Sequence, residues 1–359
     1  MEDWNYSFEP VPKSAWIRQI ESDLKGKPIE SLFSTLWDGE YLNAIAHSED
    51  IGGERLCLPS YLFQQPPILA ERFSLLQSET SSLNKQLLQS LSYGTQALHI
   101  ETSLEYFEHL NASLSGVLTD IVEVNIECPL NALESWLHQP NFHQLNIGLR
   151  LPMGSPRVTN DQFENITRLA AEFPDHTSFV YGISATGNWI QQTTSLFQQI
   201  IHDLKALGRN GISAEYFLSK CVLQLEADAL FFKQLIQTRS LHFLFQNLVL
   251  HITGKEVPSG VKYLDTSVCQ SDEEHNDHFL IRASMSGLAA SLSGIHRLNF
   301  QPLSTSKDPE LYRRVSRNIH HLLSLESGMY KGEDPLAGAY SLDNHVRHWV
   351  EKIWSQLNV

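Results

Sequence analysis

From about Pro66 onward the chain alternates short apolar runs with segments of helical period. The candidate strands are Ile68–Phe73, Ala97–Glu101, Ile121–Glu127, Leu145–Leu151, Ser178–Ile183, Cys221–Glu226, Lys262–Ser267 and Leu298–Phe300. Between them lie helix-period segments, including Ser81–Ser92, Asn188–Leu207, Leu230–His251, Asp277–Ser293 and Pro309–Met329. Eight strands alternating with helices predict a (β/α)8 TIM barrel. Such a barrel carries its active site where the strands end. The residues there are Glu101-Thr102, Glu127-Cys128, Tyr181–Gly187, Glu226–Asp228, Thr266–Cys269 and Asn299–Gln301. Phe179, Leu225 and Phe300 are candidates for the barrel interior. If they point inward the barrel is packed shut, but alternation does not decide the face of a buried parallel strand.

The barrel is expected over residues 66–330, preceded by an arm over 1–65 and followed by a turn and helix over 331–359. The arm holds one amphipathic helix near Pro12–Leu24, with Trp16 and Ile20 on one face and Lys25-Gly26 as its C-cap. A second amphipathic helix, Asn344–Leu357, ends the chain. The formal net charge is −15, which argues against a nucleic-acid surface and a general attraction to anionic membranes. The four cysteines, Cys57, Cys128, Cys221 and Cys269, form no C-x-x-C and fit a reducing compartment. The first residues lack a signal-peptide pattern and no run of about eighteen apolar residues occurs, so a cytoplasmic protein is expected.

The stretch Arg314–Asn344 contains Arg317-Asn318, Glu326-Ser327 and Asp334-Pro335-x-x-Gly338-x-Tyr340 in order. This resembles the end of the substrate-binding barrel in the methylmalonyl-CoA mutase family. Weaker likenesses extend over most of the chain. Trp16 and Ile20–Lys27 are similar to the family's N-terminal element, and Thr35 and Gly39 to its following turn. Arg239, in a helix opening with Phe231-Phe232, and Leu280-Ile281-Arg282 with Gly287–Gly294 match two later helices. Arg317-Asn318, Glu326-Ser327 and Asp334–Tyr340 are expected to fasten the barrel's closing helix rather than to carry chemistry.

The resemblance implies adenosylcobalamin-dependent radical chemistry, and the departures from it bear on whether this chain performs that chemistry. Catalytic members carry Y-H-M-Q-E-A-G after the fifth strand, where the His bonds the thioester carbonyl. Here Tyr181 and Gly187 keep the frame, but Gly182 takes the His position and Ser184 and Ala185 the Gln and Glu positions. Glycine offers no side-chain donor to a carbonyl. The first-strand Tyr of catalytic members has no counterpart in Pro66–Ser74, and Arg72 is not assigned the family Arg's role. The chain ends where the family's barrel ends, so no cobalamin-binding domain is expected. Asp343-x-His345-x-x-His348 imitates the cobalt-ligating D-x-H-x-x-G but lacks its Gly and falls on a helix.

Other constellations have ordinary readings. His320-His321 point to different helix faces, and His275–His278 open a helix beside Asp272, Glu273 and Glu274, so no metal site is expected. Glu226 and Asp228 could be an acid/base pair but more simply cap the following helix. Cys128, Cys221 and Cys269 fit core or barrel-lining thiols, and Gly52-Gly53-Glu54-Arg55 fits a loop rather than a phosphate cradle.

The resemblance thus implies the small subunit of a two-subunit methylmalonyl-CoA mutase, a component of propionate metabolism. It would be inactive alone, with Tyr181, Gly182 and Ser184 as degenerate site positions. It would bind no cofactor itself, leaving adenosylcobalamin to the large catalytic subunit that it pairs with as a heterodimer through its arm. The alternative is the substrate-binding subunit of a split, active acyl-CoA mutase using a separate cobalamin-binding chain, with Ser184 or Thr186 replacing the His.

Overall fold

The computed structural model describes residues 9, 11–35, 41–42, 46–50, 55–75, 80–103, 106, 109–127, 130, 147–153, 158–184, 187–227, 230–268, 276–300 and 309–357. For 34–35, 41–42, 276–279 and 309 it describes the backbone alone. Eight parallel strands close on themselves: β1 (Ile68–Ser74), β2 (Ala97–Glu101), β3 (Glu123–Glu127), β4 (Gly148–Met153), β5 (Thr177–Ile183), β6 (Cys221–Glu226), β7 (Leu264–Val268) and β8 (Arg297–Phe300). Closure is made by β8 on β1, with Arg297 beside Ile68 and Asn299 beside Ala70. The expected (β/α)8 barrel is therefore the observed fold.

Helices α1 (Lys13–Asp23), α2 (Thr80–Ser92), α3 (Leu110–Ser113), α4 (Asn160–Glu172), α5 (Trp189–Arg209), α6 (Ala214–Ser219), α7 (Phe231–Thr253), α8 (Asn276–Leu292), α9 (Pro309–His321) and α10 (Tyr340–Trp354) follow in chain order. Local chemistry starts and stops them. Thr159 and Gln162 form a reciprocal capping box on α4. The Asn188 side chain accepts the Gln191 N–H at the start of α5, 2.9 Å away. Gly254, at φ +69°, closes α7 in the left-handed conformation. A π-helical turn, Leu322–Glu326, extends α9 in place of the longer α-helix expected to Met329.

The apolar core lies between the outer faces of the strands and the helices. Leu98, Ile100, Val124, Ile126, Phe179, Leu223 and Leu225 face it from the sheet, and Leu87, Phe163, Phe197 and Phe245 from the helices. Each such side chain contributes about 1.5–3 kcal/mol on leaving water. Phe179, Leu225 and Phe300, the candidate interior groups, all belong to this outer core. They do not fill the barrel.

The N-terminal arm is built differently. No residue of α1 is buried, and Trp16 is 44% exposed. Its ring meets His47 at 5.3 Å, and the Lys13 side chain reaches Asp50. A two-residue antiparallel ribbon pairs Ser34 with Leu42 and Thr35 with Tyr41. At Leu56 the chain packs against the main core. There Leu58, Leu62 and Phe63 pack with Tyr61 and Phe243. Among the described residues no helix is long and apolar enough to cross a membrane.

Candidate functional site: a barrel crossed by ion pairs

Strands alternate their side chains between the two faces. The residues that alternate with the outer core therefore face the lumen, and their bonds confirm it. Arg150 on β4 donates to Asp265 on β7 at 2.8 Å and to Gln224 on β6 at 3.1 Å. Arg297 on β8 donates to Asp265 at 3.0 Å and, through Nε, to Glu123 on β3 at 2.9 Å. Strands β4 and β7, and β8 and β3, are not neighbours. These bonds therefore span the barrel axis. Lys262 adds a contact to Glu123 at 3.2 Å from the N-terminal mouth.

The charges are strongly coupled. Burial would raise Asp265, but Arg297 and Arg150 hold its carboxyl far below the usual range. Burial would likewise raise Glu123, yet Arg297 and Lys262 hold it down to about 2. His99, on the same inner face, is pushed down to about 3 by burial, with Arg150 acting in the same direction. The lower half of the lumen is thus closed by charge-paired side chains rather than by the bulky branched residues usual in such barrels. None of Arg150, Asp265, Arg297, Glu123 or His99 was singled out in the sequence. The available signal was a charge set at alternate positions within short apolar runs, as in Gly148–Met153 and Leu264–Val268.

The upper half, at the strand ends, is more open. Arg72 pairs with Glu127 and lies 3.8 Å from Glu101. Its charge is taken up by carboxylates of this chain. Ser184 donates to Glu226 at 2.8 Å. Gly182 faces free space, and a Cβ built there would meet no atom within 4 Å. A cavity of about 890 Å³ lies between the ends of β4 and β5 and helix α5, lined by Met153, Ile183 and Ser184 from the strands and by Gln191, Ser195 and Gln199 from the helix. Tyr181 also lines this cavity. Its side chain turns outward, where the hydroxyl donates to Asp203 on α5 at 2.9 Å. Burial pushes the Tyr181 hydroxyl well above its ordinary value. The Tyr181–Gly187 frame therefore brings Gly182 and Ser184 to the lumen and fixes Tyr181 in the wall.

The remaining sequence candidates are placed as follows. Glu226 accepts from Ser184 at the barrel top, 2.8 Å away, and the residue before α7 is Leu230. Asp228, Cys128, Cys269, Ala185, Thr186, Gln301, Gly39, Gly52-Gly53-Glu54 and Asp272–His275 lie outside the described residues, as do the side chains of Asp277 and His278. Cys221 is a buried core thiol. His320 donates to the Pro67 carbonyl at 2.7 Å and His321 to the Tyr93 carbonyl at 3.0 Å, so the two rings serve different backbone partners. Among the described residues no group of three or more His, Cys, Asp or Glu could hold a metal ion. Asp343 and His348 fall on α10, the first buried and the second exposed, and they do not converge.

The C-terminal motif forms two fasteners. Arg317 donates to Glu71 on β1 at 3.0 Å and to Glu310 at 3.0 Å, tying α9 to the barrel wall. Asp334 is bound by both Nη atoms of Arg239 at 2.9 Å and accepts the N–H groups of Leu58 at 2.9 Å and Leu336 at 3.0 Å. Arg239 also donates to the Leu56 carbonyl at 3.2 Å. This fork joins α7, the entry segment and the turn before α10. Gly338 sits at φ +82°, a conformation costly for other residues, and Tyr340 lies under Arg55 with its ring 5.9 Å from the guanidinium carbon. Gly287 and Gly294 are also explained. A Cβ would come to 3.1 Å from the Phe300 ring at the first and to 3.1 Å from Leu62 and Phe63 at the second.

A family model described as methylmalonyl-CoA mutase matches residues 180–359, half of the chain, including Gly182, Arg239 and the whole Arg317–Tyr340 stretch. The chain belongs to the methylmalonyl-CoA mutase family. Among its relatives is the methylmalonyl-CoA mutase small subunit of Porphyromonas gingivalis, 20% identical over 391 aligned positions. That match covers 97% of this chain and 62% of the relative. The methylmalonyl-CoA mutase of Cereibacter sphaeroides is 23% identical over 216 residues, covering 57% of this chain and 30% of the relative. The chain therefore spans under two thirds of the length of each of these relatives. Among solved structures, a triosephosphate isomerase from Bartonella henselae aligns with 72% of this chain and 99% of its own at 9% identity, with a TM-score of 0.42. A dihydropteroate synthase from Thermus thermophilus aligns with 72% of this chain and 94% of its own at 14% identity, with a TM-score of 0.39.

Proposed function

We propose that this chain is a non-catalytic barrel subunit of an adenosylcobalamin-dependent methylmalonyl-CoA mutase. It supports a large subunit that interconverts methylmalonyl-CoA and succinyl-CoA, and adenosylcobalamin belongs to that partner. The observation that carries this reading is the pair of cross-lumen bridges, Arg150–Asp265 and Arg297–Glu123. An acyl-CoA tail lying along the barrel axis would have to displace both. Breaking a buried charge pair leaves each ion uncompensated, at about 3–5 kcal/mol for a removed partner. Gly182 adds to the same reading, because the family's carbonyl-binding His has no replacement donor at that backbone position.

The arm suits a supporting role. Val11, Trp16 and Leu32 are 50%, 44% and 39% exposed, and no residue of α1 is buried. A partner subunit would cover that face, giving a heterodimer. The test is reconstitution with a large subunit. Co-purification, followed by loss of all rearrangement activity when the partner's own barrel is inactivated, is expected. Turnover by the complex with an inactive partner barrel would refute the proposal.

A second reading keeps one specific observation in its favour. The Ser184 hydroxyl, which donates to Glu226 at 2.8 Å, stands beside Gly182 at the strand ends. This reading makes the chain the substrate subunit of a split acyl-CoA mutase, with Ser184 as the hydrogen-bond donor. The same assay distinguishes the two.

A further inference from the structure

A separate pocket of about 370 Å³ lies outside the barrel, at the N-terminal end of the strands. It is enclosed by α6, the last turns of α7 and the segment leading into β7. Leu218, Phe245, Val249, Val257 and Val261 supply an apolar floor, and Tyr216 adds a second aromatic ring. Its volume and lining are those of a small-molecule site, about 300–1,000 Å³ and mostly apolar with few polar groups. Both rings are fixed from outside the pocket. Phe245 stacks on Tyr263 with centroids 4.6 Å apart, and the Tyr216 hydroxyl donates to the Pro174 carbonyl at 3.0 Å. The floor is therefore preformed.

The rim carries charge of one net sign. Glu215, Lys255 and Glu256 all line the pocket. Lys255 is taken by Glu215 at 2.8 Å, and both side chains are more than 60% exposed (70% and 61%). Glu256 has no ion-pair partner among the described residues, and its charge is felt at Tyr61. An exposed pair such as Lys255–Glu215 is weak and opens at little cost. An apolar aromatic floor beneath an unpaired carboxylate selects a ligand with an apolar body and a positive head, and aromatic faces attract cations in the same sense.

We propose that this pocket binds a small arylalkylamine, its ring against Val249, Val257 and the partly exposed Tyr216 and its ammonium beside Glu256. The site is distinct from the barrel lumen and does not depend on the mutase reading. Three probes of nearly equal shape test it: tryptamine, 3-ethylindole and indole-3-propionate, titrated calorimetrically into the full chain at low salt. The expected order is tryptamine tightest and indole-3-propionate weakest, with Glu256→Gln weakening tryptamine about two- to fivefold and leaving 3-ethylindole unchanged. Val249→Trp should abolish binding of all three. Because that variant fills a buried position, methyl NMR of the unaltered chain supplies a second readout, with tryptamine shifting Leu218, Val249, Val257 and Val261. No saturable binding of tryptamine, an order that puts the carboxylate first, or methyl shifts confined to other residues would overturn the proposal.

Discussion

Asp334 and Arg239 are both fully buried at their charged ends, and each satisfies the other in a two-bonded fork. Removing one partner leaves an uncompensated charge in the interior. Asp334→Ala is therefore expected to cost about 3–5 kcal/mol in urea unfolding. Tyr340→Phe removes only a 3.4 Å contact to the exposed Arg55 and should cost under about 0.5 kcal/mol. Equal effects would mean that Asp334 is not the fastener of the motif. Protonation gives a second expectation at this scale. Burial lowers His99 to about 3 and His296 to about 4, from 6.5. Between 6.5 and those values the unfolded chain binds protons that the folded chain refuses, so stability falls as pH drops below about 6.5 and levels near 3–4. Each histidine contributes a loss of about 1–2 kcal/mol by pH 5. Glu123, lowered from 4.5 to about 2, adds a loss as pH falls through that lower window. Urea midpoints at pH 7, 6 and 5 check the sign, and a midpoint that rises on acidification would contradict it. His99→Gln should flatten the upper part of the curve.

Elements were the most legible level of this chain. Ala97–Glu101 and Cys221–Glu226 fall where the sequence places them, and the other strands shift by one to three residues at one or both ends. Short apolar runs between turn residues specify a buried parallel strand well. They do not specify which face is which, because both faces are buried. Phe179, Leu225 and Phe300 consequently read as possible interior groups, although they pack outward against helices. The lumen pairs were illegible for the related reason that Arg150 and Asp265 are 115 positions apart, and only closure of the barrel brings them together. The π-helical turn after α9 left no periodic trace that separates it from an α-helix. The junction of α8 with the entry segment yields a test. Gly294 has φ +74° and would place a Cβ 3.1 Å from Leu62 and Phe63. Gly294→Ala should destabilise by about 2 kcal/mol, whereas Gly182→Ala, with open space around it, should change stability by under about 0.5 kcal/mol. Thermal or urea unfolding of the two variants reads the difference directly.

At the scale of the whole molecule, two parts do different work. The barrel body is held by its outer core and by the Arg239–Asp334 and Arg317–Glu71 fasteners. Helix α1 touches that body lightly, since it buries no residue and its Lys13 pairs with Asp50 within the arm itself. Deleting α1 should therefore leave the unfolding midpoint of the barrel nearly unchanged while abolishing capture of a large mutase subunit. A large loss of barrel stability on that deletion would place the arm in the core instead. The lumen sets what the barrel can admit. Its lower half is crossed by Arg150–Asp265 and Arg297–Glu123, where a mutase-family barrel would need a clear axis to take a thioester tail. Calorimetric titration of the full chain with succinyl-CoA tests that claim most directly. The account predicts no saturable heat, whereas a micromolar Kd that is lost on adding bulk at Gly182 would contradict it.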